Sequence, residues 1–179
     1  MVLNPNNNIV FIGFMGVGKG TVARALAPKI NRFYLDSDDL IESMQNRKIK
    51  EIFATDGEAY FRNLEALTAT WLENNVRNAL IATGGGFFKV PNLTNIGTVV
   101  YLQSSFEGIL KRLHEDENAQ MHLEKRPLLS DLKRAQELFD ERRFVYEAKA
   151  DIIVNVENRC LEEIVTDLEK RFNTSSDLG

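Results

Sequence analysis

The residues best suited to chemistry form a glycine-rich stretch near the N-terminus, Gly13-Phe14-Met15-Gly16-Val17-Gly18-Lys19-Gly20-Thr21. A β-branched and aromatic run precedes it, and a helix-forming run follows it. Strand, glycine loop and helix together predict a phosphate-binding loop, whose backbone N–H groups and helix N-terminus surround an anion. The residues expected to hold the phosphates of a nucleotide are Gly16, Val17, Gly18, Lys19, Gly20 and Thr21. The alternative is a glycine-rich turn with a solvated lysine.

A dense acidic turn, Asp36-Ser37-Asp38-Asp39, follows the second predicted strand. Two carboxylates at the end of a strand can have two different chemical roles. One can hold waters on Mg²⁺, and the other can orient or deprotonate an attacking hydroxyl. The alternative is helix capping, with Ser37 or Asp38 near the cap.

A run of three glycines, Gly84, Gly85 and Gly86, follows the third predicted strand. Glycine is entropically unfavourable, and three exceed what a tight turn needs. We therefore expect backbone N–H groups there to face a ligand. The hydroxyl of the preceding Thr83 is placed to face a metal shell.

Four arginines are candidates for binding anions. Arg62 has Glu58 and Glu65 within one helical turn, which can fix its direction. Arg126 precedes a proline and therefore favours an extended backbone. Arg142 and Arg143 are adjacent, and each arginine taken singly is more typical of a surface side chain than of a ligand-binding one.

Strand-like and helix-like segments alternate along the chain, which predicts a five-stranded parallel α/β sheet flanked by helices within one domain, residues 1–179. Strands are expected near 9–13, 33–36, 80–83, 98–102 and 152–154. The helix near 58–74 should present Phe61, Leu64, Leu67, Trp71 and Leu72 in a 3–4 residue rhythm. Ligands of such sheets bind at the carboxyl ends of the strands, so the phosphate loop, the acidic turn and the glycine run should converge.

The composition excludes several classes of protein. The net charge is −4 and the pI about 5.3, so no basic field favours nucleic acid as a partner. Cys160 is the single cysteine, which excludes a disulfide framework and a cysteine metal site. No segment has the length of a membrane span or the layout of a signal peptide, which predicts a cytoplasmic protein without a membrane partner. The polar tail, 173–179, is expected to be disordered.

Six motifs follow one another along the chain: G-F-M-G-x-G-K at 13–19, D-S-D-x-L-I-E at 36–42, I-F-A-T-D-G-E-x-x-F-R at 52–62, T-G-G-G at 83–86, K-R-P-L-L at 125–129 and E-R-x-x-x-Y at 141–146. With these motifs in this order, the chain resembles shikimate kinase over nearly its whole length. The resemblance implies a P-loop kinase fold with a lid, and ATP-dependent phosphorylation of the shikimate 3-hydroxyl in aromatic amino acid biosynthesis. It also implies Mg²⁺ as cofactor, and we expect a monomer.

The resemblance further implies roles for individual residues. Asp38 contacts the reacting hydroxyl, and Asp36 contacts the water shell of the metal. Lys19 and Arg126 act on the ATP phosphates, Arg126 from a lid at about 114–125, and Arg112 lies against the adenine. The substrate-binding side comprises the helical region 36–65 and the residues Asp38, Arg62, Gly84, Gly85, Gly86 and Arg142.

Two departures from the family pattern stand out. Position 20 carries Gly where the family has a Ser or Thr whose hydroxyl binds Mg²⁺, so a water held by Asp36 and Thr83 is expected there. The lid is longer than is usual in the family. A gluconate or nucleoside monophosphate kinase is the alternative of the same class, while a nucleotide switch or an inactive nucleotide binder is the alternative of another class.

Overall fold

The computed structural model describes residues 6–115 and 131–173, and within these ranges strands and helices alternate. The strands are β1 (Ile9–Ile12), β2 (Phe33–Asp36), β3 (Ala79–Ala82), β4 (Thr98–Gln103) and β5 (Ile152–Asn155). The helices are α1 (Lys19–Leu26), α2 (Ser37–Gln45), α3 (Ile49–Thr55), α4 (Gly57–Asn75), α5 (Leu93–Ile96), α6 (Phe106–Glu115), α7 (Leu132–Lys149) and α8 (Leu161–Asn173), with 3₁₀ turns at Ala27–Ile30 and Phe87–Lys89.

The five strands form one parallel sheet in the order β2-β3-β1-β4-β5. Strand β1 lies at the centre, and all four of its residues are buried. A strand covered on both faces needs an unbroken apolar run rather than an alternating one, which explains the sequence Ile-Val-Phe-Ile. The predicted α/β fold with a parallel sheet is confirmed.

The register of the sheet aligns the strand ends that carry the candidate chemistry. Asp36 at the end of β2 pairs with Ala82 of β3, and Ala82 pairs with Phe11 of β1. In a parallel sheet the carboxyl ends of neighbouring strands share one edge. The phosphate loop, the acidic turn and the glycine run therefore leave the sheet side by side.

Helices α2, α3 and α4 form a second, smaller core beside the main one. Its buried members are Ile41, Ile52, Phe61 and Leu64. The expected apolar face of α4 is partly wrong, because Leu67 and Trp71 are 54% and 46% exposed. At about 100° per residue, Leu67 and Trp71 lie at the edge of the face that buries Phe61 and Leu72, and not at its centre.

No helix in the parts of the chain that the structure describes is long and apolar enough to cross a membrane.

Candidate active site

The phosphate loop joins β1 to α1 through glycines in backbone conformations that other residues disfavour. Gly16 has φ 84° and Gly18 has φ 100°, both in the left-handed region. Gly18 is also the N-cap of α1, and no side chain caps that helix. The first N–H groups of a helix lack partners within the helix, so the loop ends in a backbone site suited to phosphate.

Lys19 is buried within this loop. Its Nζ donates hydrogen bonds to the carbonyl oxygens of Gly13 at 2.8 Å and Phe14 at 3.0 Å. Phe14 packs edge-on against the rings of Phe106 and Phe139, with centroids 6.2 and 5.3 Å apart. The aromatic contacts anchor the loop, and the ammonium lies where it can exchange carbonyl oxygens for phosphate oxygens.

Asp36 organises the acidic turn. Its Oδ1 accepts a hydrogen bond from the backbone N–H of Asp38 at 2.9 Å, and its Oδ2 accepts one from the hydroxyl of Tyr34 at 3.0 Å. Asp36 is therefore the N-cap of α2, and Ser37 and Asp38, expected near the cap, are the first two residues of the helix. The extended backbone of Asp36 places its carboxylate over the first N–H groups of the helix.

Asp38 has a buried oxygen that lacks a hydrogen-bond partner among the described residues, Oδ1. Burial raises the pKa of Asp38 to about 7; the negative charges of Asp36 and Glu65 act in the same direction, and Lys19 opposes them. A desolvated carboxylate that borders the phosphate loop is poised to accept a proton or hydrogen bond from a ligand.

The glycine run gives Asp38 and Arg62 the room that they occupy. A Cβ at Gly84 would lie 2.6 Å from Asp38 Oδ1, and a Cβ at Gly86 would collide with the guanidinium of Arg62. The backbone N–H of Gly84 donates to Ser37 Oγ at 3.1 Å, which ties the run to the acidic turn. Close approach of side chains, and not turn geometry alone, therefore requires glycine at 84 and 86.

Arg62 is held by carboxylates on its own helix. It donates to Glu65 at 2.6 Å through one terminal nitrogen, and to Glu58 at 2.8 and 3.1 Å through the other and through Nε. Glu65 is 2% exposed, and burial raises its pKa although Arg62 opposes this. The predicted fixing of Arg62 by Glu58 and Glu65 is thus observed, and it aims the guanidinium at Gly86.

Arg142 reaches the same place from α7. It is buried, it donates to the carbonyl oxygen of Gly85 at 3.0 Å, and its Nε has no partner among the described residues. Tyr146, one turn further along α7, donates to the same oxygen at 2.6 Å. Arg62 and Arg142 line one cleft together with two further cations and three carboxylates, namely Lys89, Arg134, Glu58, Glu137 and Glu141, and the space between them is large enough for a small anion.

A second cleft opens on the other side of the phosphate loop. Arg112 donates to the carbonyl oxygen of Val17 at 2.8 Å and lies against Gly18. Asn158 and Arg159, which follow β5, complete the cleft with these residues. Its position beside the loop suits the base and ribose of a nucleotide.

Comparison with known proteins identifies the family of this chain. The family model for shikimate kinase matches residues 15–173. The shikimate kinase of Helicobacter hepaticus is 44% identical over 155 residues, which cover 87% of this chain and 90% of that protein. The chain belongs to the shikimate kinase family.

Solved structures agree with this assignment. The shikimate kinase from Acinetobacter baumannii, in complex with shikimate, is 30% identical and has a TM-score of 0.81, covering 98% of this chain and 97% of that one. The enzyme from Aquifex aeolicus is 33% identical with a TM-score of 0.76, covering 96% and 99%. A gluconokinase from Sinorhizobium meliloti, at 16% identity, 95% and 93% coverage and a TM-score of 0.57, shares the fold alone. Family membership makes this chain an ATP-dependent shikimate kinase, as its motifs predict.

Most of the residues that the shikimate kinase motifs single out meet at one edge of the sheet. Arg62 and Arg142 line the first cleft, and their contacts with the glycines at 84–86 connect them to Asp38 and the acidic turn. Arg143 does not join them, because it lies over the ring of Phe144 and borders a different groove. Sequence reasoning missed Tyr34, Tyr146 and Arg159 as members of the site.

The predicted lid falls almost wholly outside the described residues, as do Arg126 and the segment 174–179. Helix α6 continues to Glu115, so residues 114 and 115, expected to begin the lid, are helical. The predictions for Arg126 and for the rest of the lid stay predictions.

The donor set beside position 20 fits a hydrated Mg²⁺ ion, which prefers oxygen ligands and retains waters. A Cβ at Gly20 would lie 3.2 Å from the hydroxyl of Tyr34 and 3.9 Å from Asp36 Oδ2. The hydroxyl of Thr83 donates to the carbonyl oxygen of Phe11 at 2.8 Å. The proton of Thr83 is therefore engaged with the sheet, while its oxygen can still accept a hydrogen bond. Tyr34 and Asp36 supply the oxygens within 4 Å of a Cβ at position 20.

Proposed function

We propose that this chain transfers the γ-phosphoryl group of ATP to the 3-hydroxyl of shikimate, with Asp38 as the residue that receives or orients the hydroxyl proton. The observation that carries the proposal is the buried Oδ1 of Asp38, which has no hydrogen-bond partner in the described part of the chain and lies where the glycine run meets the acidic turn. A carboxylate oxygen in that condition is costly unless a ligand completes its hydrogen bonding.

The nucleotide side is supplied by the phosphate loop. The backbone N–H groups at the start of α1 bind the phosphates, and the ammonium of Lys19 follows the charge on the γ-phosphoryl group. Arg112, held against Val17, borders the base. Arg126 is assigned the ATP phosphates on the strength of the family motif alone.

The shikimate side is supplied by the two arginines and the glycine run. A carboxylate bound between Arg62 and Arg142 would gain charge-assisted hydrogen bonds from two fixed guanidinium groups. The backbone around Gly84, Gly85 and Gly86 would then lie along the ring of the substrate, which brings one ring hydroxyl to Asp38.

The chemical step follows from this placement. The hydroxyl oxygen forms a bond to the γ-phosphorus while the bond from that phosphorus to the bridging oxygen of ADP breaks. The hydroxyl proton passes to Asp38, whose raised pKa makes it a competent acceptor near neutral pH. Most of the rate enhancement then comes from positioning and from the charges around the transferred group.

Mg²⁺, when it arrives with the nucleotide, neutralises charge on the β- and γ-phosphates. Asp36 would hold it through water, and position 20, occupied by glycine, offers no hydroxyl. We further infer a cytoplasmic enzyme that acts as a monomer. Gel filtration at assay concentration tests the monomer.

A coupled ADP-release assay tests the proposed function, with shikimate, gluconate and nucleoside monophosphates compared side by side. We expect rapid release with shikimate alone, because the arginine pair and Asp38 match a small hydroxylated carboxylate. Equal turnover with gluconate, or none with shikimate, would overturn the proposal.

A further inference from the structure

Position 20 combines two unusual features. It is the second residue of α1, where glycine is unfavourable for the helix, and it lacks the hydroxyl that the phosphate-loop pattern supplies to the metal. The reason lies in a residue fourteen positions further along the chain. The hydroxyl of Tyr34 is 3.2 Å from the place where the Cβ of any other residue at position 20 would lie. That distance is shorter than ordinary van der Waals contact.

Tyr34 is fixed in this place by three contacts. Its hydroxyl donates to Asp36 Oδ2 at 3.0 Å, its ring lies under the guanidinium of Arg24 at 4.9 Å, and Arg24 also approaches the hydroxyl at 3.5 Å. The phenol proton is thereby engaged with the carboxylate of Asp36. Its oxygen keeps accepting capacity for a further donor such as water.

We propose that Tyr34 replaces the missing side chain at position 20: its hydroxyl fills the space beside α1, fixes Asp36, and accepts a hydrogen bond from the water shell of nucleotide-bound Mg²⁺. The inference rests on the proposed function, since it assumes that a Mg²⁺–nucleotide complex occupies the phosphate loop. Tyr34 is a positioning residue in this scheme, and Gly20 is the space that admits it. A side-chain oxygen can thus reach this place either from position 20 or from Tyr34.

The first test removes the hydroxyl and keeps the ring. Calorimetry with AMPPCP, a non-hydrolysable ATP analogue, measures nucleotide affinity in Mg²⁺ and again in EDTA. We expect Tyr34→Phe to weaken binding about 5- to 10-fold in Mg²⁺, the effect of one lost hydrogen bond, and less than about 2-fold in EDTA. Tyr60→Phe is the matched control, because the hydroxyl of Tyr60 bonds Gln45 on the surface and should leave both affinities unchanged.

The second test exploits the exchange between the two positions. Gly20→Ser alone should not improve the Mg²⁺-dependent affinity, because its Cβ crowds the phenol, and it should lower the melting temperature. In the Tyr34→Phe background the same serine has room, so the double variant should recover most of the Mg²⁺-dependent affinity. An effect of the serine on Mg²⁺-dependent affinity that differs between the two backgrounds would show that positions 20 and 34 are energetically coupled, because independent sites give the same effect in both.

Several results would overturn the inference. These are an unchanged Mg²⁺-dependent affinity in Tyr34→Phe, an equal loss in Mg²⁺ and EDTA, or a serine effect at position 20 that is the same in both backgrounds. The proposed function fails differently, by absence of shikimate turnover in the unaltered protein. Wild-type turnover with shikimate together with a silent Tyr34→Phe change would retain the function and reject the role of Tyr34.

Discussion

The carboxylate of Asp38 lies directly over Gly84, so close that a Cβ on the glycine would approach Oδ1 to 2.6 Å. The two residues come from different strand ends and are further joined by the hydrogen bond from the Gly84 N–H to Ser37. The absence of a side chain at Gly84 thus allows the carboxylate of Asp38 to lie at this position. The backbone of Gly84 does not adopt a left-handed conformation. Glycine is therefore needed at this position because it has no side chain.

Gly84→Ala should therefore displace Asp38 and lower kcat by about 10- to 100-fold, since small misplacements of a reacting group are costly. Steady-state kinetics with shikimate and ATP measure the loss. Gly85→Ala is the stability control, because the nearest atom to its Cβ would be 3.6 Å away. Thermal unfolding should show a lower midpoint for the first variant than for the second, and equal midpoints would contradict the close contact.

Asp38→Asn should reduce kcat by about 10²–10⁴ while changing the affinity for shikimate much less. The amide still accepts a hydrogen bond but cannot take the proton. Single-turnover kinetics and shikimate binding by calorimetry separate the two effects. A kcat within a few-fold of the unaltered protein would remove Asp38 from the role of proton acceptor.

The same substitution should alter how stability depends on pH. The pKa of Asp38 is about 7 in the folded protein and near the ordinary value of about 4 when unfolded. Between these values the folded state binds the proton more tightly, so Asp38 destabilises the protein increasingly as the pH rises from about 4 to 7. Above pH 7 this penalty is constant.

Asp38→Asn lacks that penalty, and its advantage in the free energy of unfolding should grow by about 1–2 kcal/mol from pH 5.5 to pH 8. Urea denaturation of both proteins at the two pH values measures the difference. Asp140→Asn is the control, because it removes one negative charge from an exposed position. An advantage for Asp38→Asn that does not change with pH would mean that the carboxyl is not desolvated in the free protein.

Arg142→Lys should raise KM for shikimate about 10- to 100-fold and leave KM for ATP nearly unchanged. Lysine keeps the positive charge but loses the fork that can bind Gly85 and a carboxylate together. Arg143→Lys is the matched control from the next position, since Arg143 stacks on Phe144 outside the cleft. A larger effect on KM for ATP than on KM for shikimate would contradict the assignment of Arg142 to shikimate.

The sequence alone determined the local elements and the chemistry that they carry. The phosphate loop, the acidic turn and the glycine run are each short, and each follows a strand whose apolar run is recognisable. Their residue types are set by backbone conformation, helix ends and charge, which act over a few neighbours. The rule that parallel strands present ligands at their carboxyl ends then predicted that Lys19, Asp36, Asp38 and Gly84 would meet.

Only the tertiary structure decided which side chains occupy the spaces between those elements. Tyr34 gave no chemical signal in the sequence, yet its hydroxyl fills the place beside Gly20. Leu67 and Trp71 fitted the helical rhythm of α4 but are exposed, because periodicity defines a face and not what covers it. Contacts between residues far apart in the chain depend on the register of β1, β2 and β3 and on close packing. Neither of these is encoded in any one local pattern.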